Sequence, residues 1–310
     1  MTCDTSDKEK AVPLMQNAGD ADTFPRPLAE DLWLLGNSYF SLYLVKGEQA
    51  SALIEVGVSA IVDEVITQLE SLKIEPTFLV VTHPHVDHLT GLKGLKERYS
   101  DALVVAGTGA PEFLEHPKVR AGVAPEERHM SEFMASIGAP ARRPPLEDPP
   151  SLADCLIAAD GDEMDLGRLT MRFLVVKGHA PGHINVYVPE REALFASDSL
   201  GYPLEKRGIC PLVFMSFEDH MRTLDRLEQL NPRILGLGHQ GSCRGSQVQE
   251  CFAEARKSAS EMRERIRNDH RDAEEISRDL FEEFYRDEFR IFNPDNISLG
   301  FKSMVKQAKK

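Results

Sequence analysis

From Leu32 onward the apolar positions follow a strand rhythm: "LWLLGNSYFSLYLV" and "SALIEVG" are two apolar segments parted by the turn-like "KGEQ", a pattern that predicts a hairpin. "SAIVDEVITQLESL" then switches to helical spacing, with Val62, Val65, Ile66 and Leu69 on one face and Ser59 as the candidate N-cap. "TFLVVT" is short and β-branched, the signature of a buried strand. Strand, helix and strand in this order predict a βαβ unit with parallel strands.

The rhythm resumes with "ALVVAG" (102 to 107) and then breaks between about 109 and 158, a stretch expected to be an insertion over the core. Inside it Met130, Phe133, Met134 and Ile137 form one candidate helical face, read as buried packing ahead of a substrate lid, and "GAPARRPPLEDPP" reads as a proline-rich linker. "GDEMDLG" resembles a tight turn, and "LTMRFLVV", "INVYV" and "ALFAS" read as strands. After "RILGLGH" the spacing becomes helical to the end. Val248, Phe252, Ala255, Ala259, Met262 and Ile266 mark one amphipathic helix, Ile276, Leu280 and Phe284 a second, and Ile297, Phe301, Met304 and Val305 a third. The expected organisation is an N-terminal arm (1–28), an α/β domain (29–245) carrying the 109–158 insertion, and a C-terminal helical region (246–310).

Composition narrows the function classes. Asp and Glu total 50 against 36 Lys and Arg, a formal charge of −14, so the chain lacks the positive field that draws phosphate backbones and a nucleic-acid substrate is disfavoured. No stretch approaches the ~20 apolar residues of a membrane span, and the polar N-terminus does not read as a secretory signal. A cytoplasmic protein acting on a small molecule, with no membrane partner and an open oligomeric state, is the expectation. The five cysteines (Cys3, Cys155, Cys210, Cys243, Cys251) are scattered without a C-x-x-C spacing and are read as reduced thiols.

The candidate chemistry lies just past the strands. "THPHVDHLTGL" (82 to 92) packs His83, His85, Asp87 and His88 behind "TFLVVT"; His179 follows "MRFLVVKG", Asp198 follows "ALFAS", and His239 follows "RILGLG". Loops at one edge of a layered fold converge, so ligand-type residues recurring after separate strands predict one shared site. Five imidazoles and two carboxylates exceed the shell of one tetrahedral ion, whereas two ions ~3.5 to 4 Å apart would use them all. The donor types favour zinc, with iron or manganese open, over magnesium or calcium. Lone histidines are ordinarily structural, and His116, His129, His220 and His270 are read so.

"HPHVDH", "GHAPGH", the "SDS" after a strand and the terminal "GLGHQG" resemble the ordered metal-binding motifs of the metallo-β-lactamase superfamily. "NSYFSLYLVKGEQASALIEVG" resembles its opening hairpin, and "GDEMDLGRLTMRFLVVKGHAPGHINVYV" its glyoxalase II branch. The resemblance runs from roughly Leu32 to Gly245. It implies a four-layer αββα sandwich, here with a C-terminal helical appendage, and a dinuclear centre. His83, His85 and His179 would hold one metal and Asp87, His88 and His239 the other. Asp198 would bridge them, making Asp87 and Asp198 the catalytic carboxylates. The implied reaction is hydrolysis of a thioester, lactone or related ester by a hydroxide between two divalent metals.

Around this set, the resemblance makes His183 a brace for the His179 loop. Tyr202 is either a packed tyrosine or a donor to a substrate carbonyl oxygen, as a tyrosine near this point is in the superfamily's lactonases. Glu55-Val56-Gly57 stands where the family has Asp-Thr-Gly, putting a longer carboxylate in the supporting position. "SLGYPLEKRGICPLVF" lacks the glycine- and cysteine-rich stretch of typical glyoxalase II sequences, which counts against a glutathione thioester. The competing readings are a mononuclear iron dioxygenase of the same superfamily, a nuclease or phosphodiesterase, and a non-catalytic metal-binding scaffold.

Overall fold

The computed structural model describes residues 23–139, 141–205 and 207–310, so most of the predicted arm, including Cys3, lies outside the described residues. Two sheets stack face to face. The first contains seven strands in sequential order: β1 (Arg26–Ala29), β2 (Leu32–Gly36), β3 (Ser41–Lys46), β4 (Ser51–Ile54), β5 (Phe78–Val81), β6 (Leu103–Gly107) and β7 (Leu156–Ala158). The predicted hairpin around "KGEQ" is β3–β4, and the first apolar segment, expected as one strand of it, is itself two antiparallel strands, β2 and β3. From β4 to β7 the pairing is parallel, as the βαβ reading requires; α1 (Val62–Leu72) crosses from β4 to β5, α2 (Leu92–Arg98) from β5 to β6, and the long connection over residues 108–155 from β6 to β7.

The second sheet holds six strands in the order β15 (Ser242–Arg244), β14 (Ile234–Leu237), β11 (Ala193–Ser197), β10 (Ile184–Val188), β9 (Thr170–Val175) and β8 (Glu163–Asp165). A two-stranded ribbon, β12 (Tyr202–Leu204) and β13 (Gly208–Cys210), stands apart. Helices α3 (Ala110–Leu114) and α4 (Pro117–Ser136) lie in the connection from β6 to β7; the last residues of the expected insertion, 156–158, form a strand of the first sheet. The chain closes with α5 (Phe217–Glu228), α6 (Ser246–Asn268), α7 (Ala273–Phe284) and α8 (Pro294–Ala308).

Strand alternation builds the layers. On β3, Leu42 and Leu44 face α1, α2 and α4, while Tyr43 and Val45 face the second sheet and meet Phe173, Val186 and Phe195. On β11, Phe195 points to the same interior, whereas Leu194 and Ala196 turn to the opposite face, where Leu224 and Leu227 of α5 and Phe252 of α6 cover them. Strands buried on both faces read as continuous apolar runs, the pattern of "SLYLV" and "ALFAS". Helix, sheet, sheet and helix are therefore the four layers, and α6, α7 and α8 close around a further apolar cluster containing Met262, Leu280 and Met304.

Several local expectations change. Arg26–Ala29 is a strand paired with β2, so residues 26–28 are not part of a loose arm. Ser59 does not cap α1: it lies in a 3-10 turn and donates its hydroxyl to Glu127, leaving Ile61 at the cap position without a side-chain bond. "GDEMDLG" contains strand β8, whose exposed Glu163 and Asp165 suit the unpaired edge of a sheet. Met130 and Met134 are buried in the core, as read, but Ile137 is 45% exposed beyond the end of α4.

Candidate metal centre

Four strand ends converge at one edge of the sandwich. β5 leads into His83, His85 and a 3-10 turn carrying Asp87 and His88; β9 leads to His179, β11 to Asp198 and β14 to His239. The seven side chains fall into two groups, His83, His85, His179 and Asp198 in one and Asp87, His88 and His239 in the other, with one donor atom from each residue within 4.8 Å of the others in its group. Asp198 lies between them. Its Oδ2 is 3.4 Å from His179 Nε2 and 3.6 Å from His88 Nε2, and its Oδ1 is 3.6 Å from His239 Nε2.

The geometry within the first group cannot be explained by hydrogen bonding alone. His83 Nε2, His85 Nδ1 and His179 Nε2 are 3.1 to 3.2 Å apart in all three pairings. A ring nitrogen donates or accepts but does not do both, so three mutually close nitrogens leave at least one mismatched pair. A cation among three lone pairs removes the mismatch. In the second group His88 Nε2 and His239 Nε2 are buried and make no well-formed hydrogen bond, although Asp87 Oδ2 lies 3.2 and 3.3 Å from them, and Asp198 Oδ1 is likewise unpartnered. Buried polar atoms are ordinarily satisfied, so orphans that point into the same space fit a cation there.

The far side of each ring is fixed. His179 Nδ1 donates to Leu212 O at 2.8 Å and His239 Nδ1 to Tyr39 O at 2.7 Å, which directs both Nε2 lone pairs inward. Glu55, buried at a left-handed φ of 70°, accepts from His88 Nδ1 at 2.9 Å with one oxygen and from the Thr82 hydroxyl at 2.8 Å with the other. Thr82 in turn touches His83 Nδ1 at 3.2 Å. The longer carboxylate thus reaches toward both groups at once.

Burial sets the electrostatics. It pushes the His83, His179 and His183 imidazoles below their ordinary range and His85 down to about 3, with neighbouring rings adding repulsion for His83, His85 and His183. For His88 burial pulls the same way but Glu55, Asp87 and Asp198 outweigh it, and for His239 Asp198 and Asp87 do, so both are raised. Burial would raise Asp87 and Asp198, yet His88 and other facing rings hold both carboxyls low. The lowered rings of His83, His85 and His179 and the ionised carboxylates are in the donor states a divalent metal takes, whereas His88 and His239 would each give up a proton to bind one.

Two backbone features hold Asp198 in place. Ser197 sits at φ 48°, turning the chain sharply out of β11, and a Cβ on Gly238 would come 2.5 Å from Asp198 Oδ1 and 2.8 Å from His88 Cε1. Asn185, which sequence reasoning passed over, donates to Ala196 O at 2.8 Å and accepts from Ser199 Oγ at 2.9 Å, tying β10 to the Asp198 turn. Its only signal is a polar residue inside the apolar run "INVYV". His183 lies outside both groups, its ring 4.6 Å from that of His83. Tyr202 packs its ring 4.7 Å from His239, and burial raises its pKa, so it keeps its proton. Of the histidines read as structural, His116 caps α4, His129 meets Arg290 O at 3.0 Å, and His220 and His270 join neither group.

Above this floor is a cavity of about 390 Å³. His85, Asp87, His179, Asp198 and Tyr202 line its base, while α4 and α8, from the β6–β7 connection and the C-terminal region, supply much of its wall. Glu127 anchors α4 by accepting from the Ser59 and Thr90 hydroxyls and from Ser59 N at 3.2 Å. Glu126 accepts from Asn293 N at 3.1 Å and from the Asn296 side chain, joining α4 to the start of α8. Sequence reasoning missed both glutamates, which look like ordinary surface charges on a helix.

Comparison with known proteins agrees with this picture. The profile of the Metallo-beta-lactamase superfamily matches residues 39–239. A metallo-beta-lactamase fold-containing protein of Sulfurisphaera tokodaii is 27% identical over 205 residues, 65% of this chain and 72% of that one. A hydroxyacylglutathione hydrolase of Francisella philomiragia is 28% identical over 169 residues, 54% of this chain and 50% of its own length. Among solved structures, a metallo-beta-lactamase family protein of Thermus thermophilus superposes with a TM-score of 0.60 at 23% identity, covering 87% of this chain and 93% of that one.

Proposed function

The chain belongs to the metallo-β-lactamase superfamily, and from that premise we propose that it is a dinuclear metal-dependent hydrolase cleaving a thioester, lactone or related ester of a small molecule. The observation that carries the reading is the pair of buried donor groups with Asp198 between them, their orphaned atoms facing a shared space. Two divalent ions held there, zinc by preference and otherwise iron or manganese, would supply Lewis acidity and an ionised water at neutral pH.

The chain's own residues then position the reactants. Asp87 and Asp198, ionised in their buried setting, face the floor where a substrate carbonyl enters. Tyr202 lines that floor with its hydroxyl protonated, placed to donate to a carbonyl oxygen. The hydroxyacylglutathione hydrolases among the relatives favour the thioester member of the class. The full second group, Asp87, His88 and His239, favours a dinuclear hydrolase over the mononuclear iron dioxygenase.

Elemental analysis of protein purified without added metal should give near two equivalents of zinc, iron or manganese. Asp198→Ala should then lose bound metal and turn over an ester, lactone and thioester panel at least a thousandfold more slowly, about 4 kcal/mol in the barrier. One equivalent of iron with oxygen uptake, or full activity in Asp198→Ala, would sink the proposal.

A further inference from the structure

The walls of the cavity say which part of the substrate it holds. Phe113, Val119, Val123, Phe214, Phe292 and Met304 give it an apolar lining that begins directly above the clustered histidines and aspartates. The polar residues of that wall are largely engaged elsewhere. Glu126 accepts from Asn293 N and from the Asn296 amide, and the Ser303 hydroxyl donates to Phe214 O at 2.9 Å. Lys118 is exposed at the margin, where its ammonium stays in water. A polar substrate body would surrender its hydration here without finding partners, a cost an apolar one avoids.

Building on the hydrolase reading, we propose that this cavity holds an apolar acyl chain of medium length, with the acyl carbon at the metal floor and the leaving group toward the rim. The substrate class is an acyl thioester or ester whose hydrocarbon part carries the affinity. In its hydrolysis the bond from the acyl carbon to sulfur or oxygen breaks, the oxygen of water joins the acyl carbon, and a proton passes to the leaving group, giving a carboxylic acid and a thiol or alcohol. A volume of about 390 Å³ lies in the range of small-molecule sites.

Two measurements on the purified, metal-loaded protein test this together. The first is kcat/KM for 4-nitrophenyl esters from acetyl through butyryl, hexanoyl and octanoyl to decanoyl; the second is calorimetric binding of decanoate against acetate, which needs no turnover. The specificity constant should rise about fourfold per added methylene until the cavity fills, and decanoate should bind at least a hundredfold more tightly than acetate. Val123→Phe, which fills the cavity, and Leu299→Asp, at a lining position that is 62% exposed and so spares the fold, should each weaken decanoate at least tenfold. Decanoate bound and weakened by both variants, with neither these esters nor the matching acyl thioesters of a simple thiol turned over, would uphold the acyl cavity and overturn the hydrolase reading. Esters turned over with no dependence on chain length, and decanoate bound no better than acetate, would overturn the acyl cavity and leave the hydrolase standing.

Discussion

On the floor of the cavity, polar side chains are constrained on their outer side and open on their inner side. His88, His179 and His239 each spend one ring nitrogen on a fixed acceptor and present the other to the interior, where those of His88 and His239 make no well-formed hydrogen bond. On the walls the arrangement is reversed: Glu126, Asn296 and Ser303 use their polar groups within the protein and leave an apolar lining. The floor is built to bind a charge and the walls to exclude one. Perturbing the floor should therefore change metal content, and perturbing the walls should change selectivity or stability with metal intact.

The sharpest attack on the floor is Gly238→Ala. The added methyl group would press on Asp198 Oδ1 and His88 Cε1, side chains from both donor groups. At least one metal equivalent should be lost on elemental analysis, and turnover should fall at least a thousandfold, about 4 kcal/mol in the barrier. Two metals retained at wild-type activity would show that the floor yields more easily than its packing implies.

The matching probe of the wall is Glu126→Gln. Burial pushes the Glu126 carboxyl up to about 8, only partly offset by the Asn293 and Asn296 hydrogen bonds. Its folded pKa lies above its unfolded value near 4.3, so between those limits the folded state holds more protons and stability falls as pH rises. Glutamine cannot ionise. The unfolding free energy of the variant from urea titration should match wild type near pH 4 and exceed it above pH 8, by on the order of 5 kcal/mol, with metal content unchanged. A constant difference between the two proteins across this range would remove the buried acid from the account.

The same contrast explains what was legible in the sequence. Metal donors must be particular residue types, so His83, His179, Asp198 and His239, each just past an apolar strand, stand out from the sequence alone. A wall asks only for apolar bulk at helical spacing, and the chain offers many such stripes. Met130 and Met134 were visible as one, but they pack into the core, while the earlier half of α4, with Val119 and Val123, faces the cavity. Ser59 looked like a local cap because a hydroxyl before a helix usually is one; a glutamate 68 residues away claimed it instead. Edge strand β8 was hidden by its own exposed charges.

A milder test of the floor removes support from behind the rings. Glu55→Gln keeps the shape but gives up the charge that His88 Nδ1 and the Thr82 hydroxyl address. Losses of such supporting groups typically cost 10- to 100-fold in metal affinity, about 1.4 to 2.7 kcal/mol. Competition with a chelator should show this weakening in at least one equivalent, while the fold stays near wild type. An unchanged affinity would mean that the outer carboxylate is dispensable once the loops are packed.

The smallest effect is expected at Asn293→Ala, where wall and tail meet. The Asn293 side chain accepts from Asp295 N at 2.9 Å and caps α8, while its backbone N–H donates to Glu126. Alanine removes the first bond and keeps the second, so the variant isolates the cap. Loss of such a cap costs about 1 kcal/mol, which a modest fall in the urea midpoint would report. Because α8 touches the cavity but none of the seven clustered histidines and aspartates lies on it, two metal equivalents should remain. A loss of metal here would show that the tail helps to hold the floor, and the separation of floor from wall would fail at their shared edge.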